Sequence, residues 1–161
     1  MIFGNSQHFA IEATAPVGGL SSVRVWVNRV PFGNFEQRGV LKSLQLDAAR
    51  FLSLKRRRLG ADSGTPNRHA VRAWYRELVE RCPEEEAKAE ALDLLIETIQ
   101  LFAFAPEGLS AVRVVVEDGA GDSCLVTAWE EGAEHIEQAE VSEADLRGTI
   151  EKFAEWNVPH H

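Results

Sequence analysis

Cysteine is scarce in this chain: Cys82 and Cys124 are the two in 161 residues, far apart and outside any C-x-x-C pair. Disulfide frameworks and thiolate metal sites need several closely spaced ligands, so both read as free thiols in a reducing compartment. Basic charge is also in short supply, with 17 Lys and Arg against 25 Asp and Glu, a net charge of −8. That balance argues against general nucleic-acid binding, which uses basic side chains to displace phosphate counterions. No apolar run approaches the roughly 20 residues that a membrane span needs. No basic-then-apolar leader opens the chain either, since Asn5, Ser6, Gln7 and His8 follow Met1 closely. The expected location is the cytoplasm, away from membranes.

Catalytic signatures are missing as well. The five histidines, His8, His69, His135, His160 and His161, form neither H-E-x-x-H nor a zinc-module spacing. There is no G-x-S-x-G elbow, and Gly18-Gly19 lacks the layout of a phosphate loop. Residues 117–122 hold Glu117, Asp118 and Asp122 but lack the alternating oxygen ligands of a calcium loop, and Asp118 with Gly119 and Gly121 reads as a turn. The reading is of a protein with no catalytic centre, metal or cofactor.

What is present is a well-stocked core, with four Trp and eight Phe, in a chain of single-domain size. In residues 8–14, Phe9, Ile11 and Ala13 alternate with His8, Ala10, Glu12 and Thr14, the period of a half-buried strand. A second strand, 22–27, alternates Val23, Val25 and Val27 with Arg24 and Trp26, and Trp26 is expected to pack under a helix. Asn28-Arg29 forms a tight turn into a short piece, 30–32, whose Pro31 places it at a sheet edge.

The period then becomes helical. Residues 39–58 carry Val40, Leu41, Leu44, Ala48, Phe51 and Leu52, and end in Lys55, Arg56, Arg57 and Arg58, where the helix dipole favours positive charge. Residues 59–67 are a polar loop. Residues 68–81 form a second helix. A third starts at Pro83, with Glu84, Glu85 and Glu86 at its positive end, and runs through Leu92, Leu95, Ile96, Ile99 and Phe102. Strands return at 111–117, 124–130 and 135–141. Ser142 with Asp145 is a capping-box pattern opening a last helix, with Leu146, Ile150, Phe153 and Trp156 as its buried stripe. The expected class is α+β: an antiparallel sheet from the N-terminal hairpin and the later strands, with helices packed mainly on one face.

Met1-Ile2-Phe3-Gly4-Asn5 followed by Phe9-Ala10-Ile11, then Trp26 in an alternating strand and Phe32-Gly33-Asn34 before a helix, resemble an immunity-protein family of bacterial polymorphic toxin systems, the one numbered forty-two. Beyond Phe35 the likeness is one of layout. Asn5 and Asn34 stand where that family's pattern has aspartate. The resemblance implies a small cytoplasmic protein that binds and neutralises one cognate toxin domain, with no catalytic residues. An acidic surface suits a basic toxin such as a nuclease. The contact candidates are Glu84, Glu85, Glu86, Glu117, Asp118 and Asp122, each of which also has a local role at a helix start or a turn. The alternative reading is a small acidic secretion chaperone, a homodimer holding an effector segment. An enzyme would require a pocket with perturbed carboxylates or histidines.

Overall fold

The first strand pair is held by alternation of side chains between core and outside. In the computed structural model, which describes residues 1–54, 67–80, 84–103 and 108–157, β1 (Ile2–Asn5) pairs antiparallel with β2 (Phe9–Ala13), and β2 with β4 (Val23–Val27). Phe9, Ile11, Ala13, Val23, Val25 and Val27 are buried on the inner face, as the period of two predicts. β5 (Val30–Phe32) closes the sheet at its edge in the order β1-β2-β4-β5. The turn into it places Asn28 at φ 50° and Arg29 at φ 70°, the left-handed pair of a two-residue hairpin turn. The strand β1 is an addition to the sequence reading. It is short, and its Gly4 sits at φ +89°, where a Cβ would lie 2.5 Å from Thr149 Oγ1 and 2.7 Å from the Phe9 carbonyl oxygen.

A small ladder follows, β3 (Leu20–Ser21) with β6 (Gly39–Val40). Residues 39 and 40, expected to open a helix, are therefore strand, and α1 runs Leu41–Ser53. The basic residues 55–58, most of the loop that follows them, Cys82, Pro83 and the terminal histidines lie outside the described residues. Helices α2 (Arg68–Glu80) and α3 (Glu86–Ile99) come next.

Phe102, expected on the third helix, is not helical. The helix stops at Ile99, Gln100–Leu101 becomes β7 against β8 (Val112–Asp118), and Phe102 turns the chain at φ 59°. Its ring is buried all the same.

The second sheet has the order β10-β9-β8-β7, all antiparallel, with β9 (Ser123–Glu130) and β10 (Ile136–Ser142) joining β8. One of its faces joins the inner face of the first sheet. Val114, Val116 and Val126 meet Ile11 and Val25 there, together with Leu44, Ala48 and Phe51 of α1 and Leu146, Ile150 and Phe153 of α4 (Glu143–Ala154). The other face carries Val115, Trp129 and Ile136 under Val71, Tyr75 and Leu78 of α2 and Ile99 of α3. Burial on both faces explains why residues 124–129 of β9 are all buried instead of alternating. The α+β class and its antiparallel pairing are as expected; apart from the β3–β6 ladder, the strands divide between two four-stranded sheets.

Trp26 is half-buried, and its packing comes from its own sheet. On the outward face of β4 its indole N–H donates to Glu12 Oε2 at 2.8 Å. The Arg24 guanidinium lies 4.9 Å from its ring centre and 4.3 Å from that of Phe35, while Arg24 Nε meets Glu12 Oε2 at 2.6 Å. Among the described residues no helix is long and apolar enough to cross a membrane.

Of the capping-box pattern that opens α4, the serine N-cap is formed, and the Asp145 carboxylate meets the Ser142 hydroxyl instead of its backbone N–H. Ser142 Oγ accepts from the Asp145 backbone N–H at 3.1 Å and donates to Asp145 Oδ2 at 2.7 Å. Replacing Ser142 with alanine is expected to lower stability by about 1 kcal/mol, read as a shift of the urea midpoint. An unchanged midpoint would remove the cap from the account of α4.

Candidate functional site

The proposed contact residues fall in three settings. Glu84, Glu85 and Glu86 are exposed at the start of α3, where Glu85 pairs with Lys88 at 2.9 Å. Asp118 ends β8 partly exposed, and Asp122 is exposed in the turn between β8 and β9. Glu117 is a correction: it is 3% exposed and offers no surface carboxylate. Its side chain points to the same face of β8 as Val115, the face that α2 and α3 cover. Among the described residues its Oε2 has no hydrogen-bond partner, and burial pushes its carboxyl up to about 7 from an ordinary value of 4.5.

The structure adds acidic residues that are distant from Asp118 and Asp122 in sequence. The β9–β10 register sets Ser142 opposite Ser123, so the β8–β9 turn lies beside the junction of β10 and α4. The Glu143 N–H donates to the Asp122 carbonyl at 2.8 Å. Ser123 Oγ donates to Glu140 Oε1 at 2.7 Å, and the Cys124 thiol to Glu143 Oε2 at 2.7 Å. Asp118, Asp122, Glu140, Glu143 and Asp145 therefore share one end of the second sheet. In the sequence Asp145 is visible only as a capping residue; the register that gathers the five is set by strand pairing and has no local signature.

A cleft of about 610 Å³ opens at this same end. Its walls are Gly4, Asn5, His8 and Phe9 from the β1–β2 turn, and Glu140, Val141 and Ser142 from β10. Its floor is one face of α4: Ala144, Asp145, Gly148, Thr149 and Lys152. The small residues Ala144 and Gly148 leave the space, and the volume lies within the range of small-molecule and side-chain pockets. Lys152 brings a positive charge to a lining that also carries the carboxylates of Glu140 and Asp145.

Among the described residues, no group of three or more His, Cys, Asp and Glu is arranged to hold a metal ion. His135 is occupied structurally, stacked on Phe32 at 6.3 Å and paired through Nε2 with Glu137 Oε1 at 3.0 Å. What the acidic end can do physically is attract and orient a positively charged partner, because carboxylates grouped at one edge reinforce each other's field. No protein-family model, curated protein or solved structure matches this chain.

Proposed function

We propose that this chain is a cytoplasmic immunity protein that binds and neutralises a cognate toxin domain, without catalysis of its own. The observation that carries this reading is the acidic end, where carboxylates from β8, the β8–β9 turn, β10 and α4 share one end of the sheet and two of them, Glu140 and Asp145, line an open cleft. A rigid acidic surface suits a basic partner such as a nuclease, whose active surface must itself attract phosphate. The N-terminal residues that resemble the immunity family support the same assignment, and they build the β1–β2 wall of that cleft.

The test is a tagged pull-down from the native host, read by mass spectrometry. The expected result is one-to-one recovery of the C-terminal domain of a large secreted toxin. Raising salt from about 50 mM to about 500 mM is expected to slow association roughly tenfold or more, with the paired change Asp118→Lys and Asp122→Lys acting in the same direction. Salt-insensitive association would remove the electrostatic contact from this account. Recovery of an effector's N-terminal segment on a homodimer would replace the immunity reading with that of a secretion chaperone.

A further inference from the structure

The backbone of β10 adds a second property to the acidic end. β10 is the outermost strand of its sheet. In an antiparallel ladder, hydrogen-bonded and non-bonded residue pairs alternate. The bond from the Glu143 N–H to the Asp122 carbonyl fixes the phase. Val141 with Cys124 and Ala139 with Val126 are then bonded pairs, and Glu140 with Leu125 is a non-bonded one. The N–H and C=O of Glu140 therefore point away from β9, at the position where β10 lines the cleft.

We propose that this edge takes an extended, lysine- or arginine-bearing segment of the partner protein as an added strand along β10, with side chains entering the cleft. Strand addition supplies main-chain hydrogen bonds, and pockets beside the edge select alternate side chains. The charge selects the occupant. A segment lying along β10 passes Glu140 and Asp145, which line the cleft, with Asp122 and Asp118 adding to the field from the inner strands, so basic residues are favoured and acidic ones repelled. Exposed edges usually carry charge that blocks casual pairing, and a carboxylate edge admits a basic strand while refusing copies of this acidic chain. The proposal rests on the reading of this end as the partner contact and specifies its chemistry.

The probe is a synthetic peptide of about eight residues, the length of an ordinary strand, alternating lysine and valine. Its controls are the glutamate–valine counterpart and a lysine peptide N-methylated at alternate backbone nitrogens. The lysine peptide is expected to bind the full chain and protect the Glu140 amide from hydrogen exchange, with both controls roughly tenfold weaker or worse. Glu140→Pro removes an outward N–H without removing a ladder bond, and is expected to weaken binding to a similar extent. Equal binding of the N-methylated peptide, or no protection at Glu140, overturns strand addition even if the proline variant fails to fold. Toxin captured equally by wild type and a folded Glu140→Pro overturns it while the immunity reading stands. Peptide pairing at Glu140 with no toxin recovered from the host overturns the immunity reading alone.

Discussion

Truncation of Phe153 to alanine is expected to cost about 3–5 kcal/mol, the usual range for removing a buried Phe from a core. The side chain has no exposed surface. Its ring meets Phe3 of β1 edge-on at 5.7 Å and Phe102 edge-on at 5.8 Å. One side chain thus ties α4 to the first strand and to the turn that follows β7. Each such aromatic pair adds about 0.5–1.5 kcal/mol beyond the apolar area buried, so the cost should sit in the upper part of the range. Urea unfolding measures it directly. A loss below about 1 kcal/mol would mean that α4 does not dock as described, and the cleft floor would go with it.

The second large effect concerns Glu117. Its carboxyl, with an ordinary value of 4.5, is raised to about 7 by burial. The sign follows from proton uptake: between those two values the folded chain holds a proton that the unfolded chain has released. Stability therefore falls as pH rises through this window, and the loss is complete above about 7. The contribution is on the order of 3 kcal/mol, from 1.36 kcal/mol per pKa unit. Glu117→Leu removes the buried ionisable group and is expected to raise stability at pH 8 by up to roughly that amount, with little gain near pH 4.5. Thermal unfolding of both proteins across this pH range checks it. Parallel pH profiles would show that Glu117 titrates as an ordinary surface acid.

Glu117 also marks where local pattern stops being informative. On β8, Arg113, Glu117 and Asp118 read as the polar accompaniment of a half-exposed strand, next to a glycine turn. The burial of Glu117 comes from its place on the sheet face under α2 and α3, and nothing in residues 111–122 encodes that cover. Phe102 fails for a different reason. It continues the spacing of Ile96 and Ile99, yet the chain leaves the helix at Gln100 to pair with Val115. A buried side chain three positions on is compatible with either path.

Where a single element decides its own pattern, the sequence is readable. β2 and β4 bury one side of a sheet and alternate accordingly, and Ser142 caps α4 through a contact three residues away. The acidic end is the opposite case. Asp118 and Asp122 are visible as turn residues, but Glu140 and Glu143 join them only through the Ser142–Ser123 register.

The two apolar clusters on either side of the second sheet give the molecule unequal layers. Releasing α2 and α3 would uncover Val115, Trp129 and Ile136 while leaving the larger cluster closed. Such an opening is a smaller event than global unfolding, since it exposes one face of one sheet. The acidic residues on β8, its turn, β10 and α4 all belong to elements anchored in the larger cluster. Such an opening would loosen the outer helices and leave the acidic end its shape.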